Sequence, residues 1–169
     1  MTVLEFYEKE RALVGGTLGP TAWRIVTQED IDQFGACTHD PDPMHIDPEW
    51  ARENSPFGQT IAFGFWTLSM MTSMLQEAYR MAGDPPANII SANYGCDRLR
   101  FVEPVLVGQR IRLEATLHSV EMPKPDRVLR HVDVNIWGEG AARPAVVARW
   151  LSMSVWRSDE FVQNGFRAQ

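Results

Sequence analysis

The spacing of apolar residues changes once along the chain, from helical spacing in the first half to strict alternation in the second. In the first half we predict a short helix over residues 4–13 and a short strand over residues 22–26. A further helix begins after the capping residue Thr27 and ends near His39. The apolar side of this helix is formed by Ile31, Phe34 and Cys37.

A segment stiffened by prolines follows that helix. Pro41 and Pro43 each keep the preceding residue out of the α region, so residues 40–47 are expected to form an extended loop. Asp47 then caps a second short helix, with Pro48 at the first helical position. The sequence therefore predicts a rigid polar loop between two helices.

No charged residue occurs between Glu53 and Glu77, and residues 61–75 are mostly apolar. A membrane-spanning helix needs about 20 apolar residues. This run is shorter and is interrupted by glycine and hydroxyl residues. We therefore predict a helix from near Ala62 to about Met81 that is apolar nearly all round and is buried in the middle of a soluble domain.

Alternating apolar and polar positions in the second half predict long strands joined by short turns. Such strands form an antiparallel meander, with one face packed on the apolar helix. A long antiparallel sheet wrapped around one central helix is the hot-dog arrangement, an α+β fold, and we predict one such domain over residues 1–169. The predicted strands cover residues 88–102, 109–121, 127–138 and 145–157.

Composition narrows the functional classes. The formal net charge is -6 and basic residues are not clustered, which argues against a nucleic-acid groove and against binding to an anionic membrane. The two cysteines lack zinc-ligand spacing, and the charged N-terminus is unlike a signal peptide. We therefore expect a cytoplasmic protein. Long strands leave exposed sheet edges, so a homodimer is also expected.

The polar loop holds the densest group of chemically active side chains: His39, Asp40, Asp42, His45 and Asp47. One interpretation is a polar turn in which Asp47 only caps a helix. A calcium loop is disfavoured because the sixth position from Asp40 is His45 rather than glycine. The helical pairing of histidines typical of zinc sites is missing as well. No metal site is predicted.

A third interpretation is acid–base catalysis. Asp40 and His45 lie five residues apart on one stiff loop, and a carboxylate with an imidazole suits the hydration of an activated double bond. A second candidate is Gly64, near the start of the apolar helix. Unpaired N–H groups and the helix dipole there suit the oxygen of a thioester that becomes enolate-like. Gly64 also has a simpler explanation, namely close packing of the helix on the sheet.

These residues resemble the hydratase-2 motif of MaoC-like dehydratases, including (R)-specific enoyl-CoA hydratases. The motif reads Thr38-His39-Asp40-x4-His45-x-Asp47-Pro48-x2-Ala51 and continues as Phe57-Gly58-x2-Ile61-Ala62-x-Gly64. A later stretch, residues 93–108, is similar to the subset that resembles the nodulation protein NodN. The resemblance covers residues 12–155.

The resemblance implies a dimeric hot-dog enzyme of fatty acid metabolism that hydrates trans-2-enoyl-CoA to (R)-3-hydroxyacyl-CoA, or performs the reverse dehydration. It implies no metal and no cofactor, since CoA is part of the substrate. Two alternatives stay open. One is a hot-dog acyl-CoA thioesterase, which sends water to the thioester carbon. The other is a non-catalytic acyl-thioester-binding protein.

The resemblance also assigns roles to single residues. Asp40 and His45 match the catalytic pair, without showing which is base and which is acid. Gly64 matches the residue whose backbone N–H polarises the thioester carbonyl, and Thr72 matches a position where some members place a serine beside the catalytic aspartate. Two residues depart from the pattern and are expected to narrow the pocket or change its substrate: Asp42, where many members have Asn, and Phe63, where His is common.

Overall fold

A computed structural model describes residues 1–83 and 89–156 of the chain. Its helices are α1 (Val3–Ala12), α2 (Gln28–Thr38), α3 (Pro43–Ile46), α4 (Pro48–Asn54) and α5 (Gly64–Ala82). Its strands are β1 (Thr17–Leu18), β2 (Arg24–Ile25), β3 (Ile89–Phe101), β4 (Arg110–Lys124), β5 (Arg127–Gly138) and β6 (Val146–Trp156). The predicted strand ends at residues 88 and 157 lie outside the described residues.

Capping side chains set the boundaries of the first helices. Thr2 and Glu5 form a capping box at the start of α1. Thr27 accepts a hydrogen bond from the backbone N–H of Asp30 at the start of α2, and α2 ends where His39 adopts the left-handed conformation (φ 58°). The helix predicted from Thr27 to near His39 is therefore confirmed.

The loop over residues 40–47 is not extended throughout, so that prediction was wrong. It contains the one-turn helix α3, because the Asp42 side chain accepts a hydrogen bond from the Met44 N–H and Pro43 has the φ of a first helical turn. Asp47 caps α4, as predicted, by accepting a hydrogen bond from the Trp50 N–H at 2.9 Å.

Helix α5 begins at Gly64 rather than Ala62, because the preceding residues are held in a sheet-like pairing. The Ala62 N–H donates to the Val105 carbonyl at 2.8 Å, and the Val107 N–H donates to the Thr60 carbonyl at 3.0 Å. One side of α5 is buried. The prediction of burial all round was wrong, since a stripe stays exposed on this chain at Phe65, Ser69, Gln76 and Arg80.

The long strands form one antiparallel sheet in the order β1-β4-β5-β6-β3, with β2 also pairing with β4. The predicted meander holds for β4, β5 and β6 but was wrong for β3. Strand β3 pairs with β6 rather than β4, so the chain crosses to the opposite side of the sheet between Phe101 and Arg110. As a result β3 lies at the sheet edge with one side unpaired among the described strands.

The core lies between α5 and the inward faces of β4 and β5. Met71 and Met74 of α5 are fully enclosed there, together with alternate strand residues that include Ile111, Leu113 and Ile136. Burying each such side chain contributes about 1.5–3 kcal/mol to folding. Among the described residues, no helix combines the length and the apolar character needed to cross a bilayer.

Candidate active site

The polar loop is fastened to the end of α2 through backbone atoms. The Asp40 N–H donates to the Gly35 carbonyl at 3.0 Å. A Cβ at Gly35 would lie 3.1 Å from the Asp40 carbonyl oxygen and 3.2 Å from the Phe63 ring. A larger residue at position 35 would therefore have to push the loop or the Phe63 ring away by a few tenths of an ångström.

The Asp40 carboxylate is exposed at the start of the loop. One of its oxygens, Oδ1, accepts a hydrogen bond from the Asp42 N–H at 3.2 Å, and the other oxygen has no hydrogen-bond partner among the described residues. The Asp42 carboxylate caps α3 instead. Its position is therefore explained by helix capping alone.

His45 lies in the single turn of α3 with its ring half-buried. Nδ1 is 2.8 Å from the Ile61 carbonyl oxygen. Because a carbonyl oxygen can only accept, Nδ1 carries the proton of this hydrogen bond. In the neutral imidazole Nε2 is then unprotonated and can accept a proton. The fold thus fixes His45 in the tautomer that a general base requires.

Phe63 holds the His45 ring in place. The two ring centroids are 3.9 Å apart at 34°, and the Phe63 ring centroid also lies 5.3 Å from that of Phe34. Phe63 is buried and does not line the cavity described below. Phe63, which departs from the family pattern, therefore packs against the imidazole, and its effect on the substrate stays a prediction.

Gln28 is a positioning residue that sequence analysis missed. Its Nε2 donates to the His45 carbonyl oxygen at 2.8 Å, and its Oε1 accepts from the Thr60 hydroxyl at 2.6 Å. It therefore ties the loop to the strand-like segment that leads into α5. Gln28 is an ordinary glutamine in the first turn of α2, and only the fold brings it to partners up to 32 residues away.

Gly64 is the first residue of α5, and the residue before it makes no side-chain cap. The Gly64 N–H has no partner among the described residues, so it can donate to a ligand at the positive end of the helix dipole. A Cβ at Gly64 would lie 3.0 Å from the Phe101 ring. Close packing of the helix against Phe101 is therefore one reason for glycine at residue 64, and its role in ligand approach stays a prediction.

His45 and Gly64 line one cavity of about 210 Å³. Most of the other lining is apolar, including Phe101, Val105 and Val146. The one lining carboxylate among the described residues, Glu103, is paired with Arg143 through a 2.6 Å hydrogen bond. The cavity therefore combines a basic nitrogen and a free N–H donor with apolar surroundings, in which hydrogen bonds to a reacting oxygen are strengthened.

Two of the predicted site residues lie apart from this cavity. Asp40 does not line it, and Asp40 and His45 form no direct hydrogen bond or ion pair with each other. The Thr72 hydroxyl donates to the Ser69 carbonyl at 3.0 Å within α5, and Thr72 lines a different cavity. In this chain Thr72 is therefore separate from the His45 cavity. Within residues 1–83 and 89–156 no cluster of metal-ligating side chains occurs.

The sequence of this chain is similar to one protein family and to several known proteins. The model of the MaoC like domain matches residues 10–137. Nodulation protein N of Rhizobium leguminosarum bv. viciae is 36% identical over 142 residues, which are 83% of this chain and 85% of that protein. The 3-hydroxyacyl-thioester dehydratase Z of Mycobacterium tuberculosis is 36% identical over 137 residues, which are 81% of this chain and 87% of that protein.

Solved structures show the same fold at lower identity. A monoamine oxidase regulatory protein from Archaeoglobus fulgius superposes with a TM-score of 0.71 at 23% identity, over 86% of this chain and 91% of the other. An (R)-hydratase from A. caviae superposes with a TM-score of 0.65 at 22% identity, over 82% of this chain and 94% of the other. These likenesses confirm the predicted α+β hot-dog fold.

Proposed function

The chain belongs to the MaoC-like dehydratase family, and from that premise we propose that it adds water to a trans-2-enoyl-CoA thioester to give an (R)-3-hydroxyacyl-CoA, or catalyses the reverse dehydration. The observation that supports this best is the shared cavity of His45 and Gly64. A relative at 36% identity carries the name of a 3-hydroxyacyl-thioester dehydratase, which agrees with this reaction class.

In the proposed mechanism the thioester oxygen accepts a hydrogen bond from the Gly64 N–H, which stabilises the enolate that develops during addition. A water lies between Asp40 and His45. Nε2 of His45 takes one proton from this water while the water oxygen bonds to C3 of the substrate. Asp40 accepts a hydrogen bond from the remaining hydrogen of the water. The imidazolium then returns a proton to C2. The net reaction is the addition of one water across the double bond, and this mechanism needs neither a metal nor a redox cofactor.

One assay tests the reaction class. Purified protein is mixed with trans-2-enoyl-CoA substrates of short, medium and branched chain, while enoyl-thioester absorbance and free thiol are both followed. We expect the absorbance to fall without thiol release. Thiol release at a matching rate would instead assign a thioesterase. No change with any substrate would favour the non-catalytic binding protein.

We also propose that the protein is a homodimer joined along β3. This 13-residue strand has one unpaired side and carries exposed apolar residues, including Ile90 and Tyr94. Phe101 at its end meets the exposed Phe65 of α5 at 5.5 Å, so the apolar surface continues onto the helix. Unpaired strand edges of this kind are normally covered. Light scattering at micromolar concentration should give about twice the 19.2 kDa chain mass. A stable monomer would contradict the dimer.

A further inference from the structure

A CoA thioester is larger than the His45 cavity of about 210 Å³, and its two halves need different surroundings. The acyl half is apolar. A second cavity of about 380 Å³ borders α5 farther along the helix, with walls from α1, α5, β3, β5 and β6. Arg130 is buried there, and its Nη2 donates to the hydroxyls of Ser91 at 3.3 Å and Ser154 at 3.0 Å. This space beside the central helix has room for the acyl chain of the proposed substrate, so it belongs to the proposed reaction and not to a separate site.

The other half of the substrate is the pantetheine arm that carries the sulfur. The first polar group beyond the sulfur is an amide, which two methylene groups separate from the sulfur. With the thioester oxygen on the Gly64 N–H, this amide lies close to the wall of the His45 cavity. An amide N–H that leaves water without finding an acceptor weakens binding. The wall is therefore expected to offer an acceptor near the thioester.

Few side chains of the wall can accept this hydrogen bond. Among the described lining residues, polar side chains occur only at His45, Thr67 and Glu103. Nε2 of His45 takes a proton from the water in the proposed mechanism. Thr67 is 2% exposed, and its hydroxyl donates to the Phe63 carbonyl within α5 at 3.2 Å. The Glu103 carboxylate, which is partly exposed, is the side-chain acceptor that is left.

Backbone hydrogen bonds hold the segment that carries Glu103. On one side of it, the Val102 N–H donates to the Ala145 carbonyl at 2.8 Å. On the other side, the Val105 carbonyl accepts from the Ala62 N–H at 2.8 Å, two residues before the start of α5. Glu103 is therefore tied to the N-terminus of α5 and does not lie on a free loop.

One oxygen of the Glu103 carboxylate is occupied and the other is not. Arg143, in the turn between β5 and β6, donates from Nε to Oε1 at 2.6 Å, and its Nη2 contacts the same oxygen. Oε2 has no hydrogen-bond partner among the described residues. The Arg143 side chain is 65% exposed, and exposed ion pairs contribute little to stability. The pair therefore leaves a fixed carboxylate with one free oxygen at the cavity wall.

We propose that Glu103 is a substrate-binding residue, whose Oε2 accepts a hydrogen bond from the first amide N–H of the pantetheine arm while Arg143 holds Oε1. This inference rests on the proposed function and adds the part of CoA that the cavity recognises. The Glu103 contact and the Gly64 N–H then hold the thioester on both sides of its sulfur. Such a two-point attachment keeps C3 beside the water at His45.

Two truncated substrates that differ in this one N–H provide the test. They are the trans-2-hexenoyl thioesters of N-acetylcysteamine and of 2-mercaptoethyl acetate, in which an ester oxygen replaces the amide N–H. We expect kcat/KM for hydration to be about tenfold higher for the amide thioester, as for a hydrogen bond to a charged group. The difference should lie mainly in KM, because the contact is made before and during the reaction. Equal kcat/KM values would overturn the inference and leave the proposed reaction intact.

Variants of the full-length protein assign the preference to Glu103. Glu103→Leu removes the acceptor, so the ratio of the two kcat/KM values should fall to near one. Glu103→Gln keeps a carbonyl oxygen and should retain part of the preference. Glu139→Leu is the matched control, since Glu139 also forms an exposed ion pair, with Arg110, but does not line the cavity. It should keep the full preference. A ratio that is the same in Glu103→Leu as in the unchanged protein would overturn the inference.

Saturated thioesters separate this inference from the proposed function, because they cannot be hydrated. The hexanoyl thioesters of the same two thiols are titrated into the protein by calorimetry. We expect the amide thioester to bind about tenfold more tightly to the unchanged protein and no more tightly to Glu103→Leu. This result would support the Glu103 contact even if no enoyl thioester were hydrated, in which case the proposed reaction alone would fail. Equal binding of both thioesters, or no binding of the amide thioester at millimolar concentration, would overturn the inference.

Discussion

The two cavities along α5 differ in the kind of polar group that lines them. At the N-terminal end the polar groups are mostly backbone atoms: the Gly64 N–H and the Ile61 carbonyl that fixes the His45 tautomer. Toward the C-terminal end they are charged and hydroxyl side chains around Arg130. Backbone groups are held by the secondary structure itself and lose little freedom when a ligand binds, whereas long side chains must still be ordered.

The difference between backbone and side-chain polar groups matters for catalysis. A reacting oxygen needs donors that are already in position, because reorganisation during the reaction raises the barrier. The His45 end meets that requirement. The polar groups at the Arg130 end are side chains, which must still be ordered before they can hold a reacting group. The following changes, to the His45 end and then to the middle of α5, are ordered from the largest expected effect to the smallest.

Removing the acid–base groups should have the largest effect. His45→Gln and Asp40→Asn should each lower kcat on the order of 10²-fold or more, because a proton-transfer partner is lost. The double variant should be little worse than either single change, since both act on one water. Steady-state hydration of a trans-2-enoyl-CoA measures this.

Asp47→Asn is the matched control for these variants, because Asn caps α4 nearly as well as Asp and Asp47 only accepts from the Trp50 N–H. It should keep nearly full activity. An inactive Asp47→Asn protein beside an active His45→Gln protein would show that the loop has been assigned wrongly.

Gly64→Ala tests whether the N-terminal end depends on close backbone approach. The new methyl group would lie 3.0 Å from the Phe101 ring and beside the free N–H. We expect kcat/KM to fall on the order of 10²-fold, comparable to loss of an oxyanion donor. Combining it with Phe101→Leu relieves the contact and should restore part of the activity. If Gly64→Ala alone is fully active, close approach of the substrate to the backbone at residue 64 is not required.

Gln28→Leu should have a smaller effect on catalysis. It removes the hydrogen bonds to the His45 carbonyl and the Thr60 hydroxyl but no group that touches substrate. We expect kcat to fall by about tenfold with KM nearly unchanged, because a looser loop places the base less well. Gln33→Leu is the matched control on the same helix, since Gln33 bonds only to the exposed Glu29 side chain. Equal activity of both variants would show that Gln28 does not position His45.

The smallest effect is expected from Glu77, which attaches the middle of α5 to the segment around β2. A hydrogen bond from the Ala22 N–H, and then one from Arg24, hold the pKa of Glu77 below its ordinary value of 4.5. A carboxyl with a lowered folded pKa contributes stability above its unfolded pKa, and this is lost as the pH falls through the folded value.

Glu77→Gln should therefore lower Tm by a few degrees at pH 7, for a loss of about 1 kcal/mol. The difference from the unchanged protein should shrink as the pH falls below 4.5, the ordinary pKa of a glutamate. Thermal unfolding followed by circular dichroism between pH 3 and pH 7 measures it. A difference that stays constant over this range would show that the Glu77 charge contributes no stability.

The sequence predicted those parts of the molecule that depend on local signals. Thr27 and Asp47 cap the helices that follow them, and strict alternation located the long strands. The loop motif and the glycine at the start of α5 also pointed to His45 and Gly64, which do share a cavity. Helix α3 was not predicted although its signals are local, because Pro43 disfavours the α region only for the residue before it and itself fits the first helical position.

Features that join distant parts of the chain were not predictable in this way. Pairing of β3 with β6 depends on the order of strands in the sheet, which alternation does not encode. Gln28 acts on residues that only the fold brings near. The Arg130 cavity needs α1 and β5, and a buried arginine on an alternating strand has the same pattern as an exposed one.

The backbone anchoring of the loop also bears on how such a chain changes over evolutionary time. The bonds from Asp40 to Gly35, from Ile61 to Met44 and from His45 to the Ile61 carbonyl all end on main-chain atoms. Every amino acid supplies the same carbonyl, and all but proline supply the same amide. These hydrogen bonds therefore place no restriction of their own on the residue types at Ile61 and Met44. The freedom stops at Gly35, where the first added carbon meets the loop.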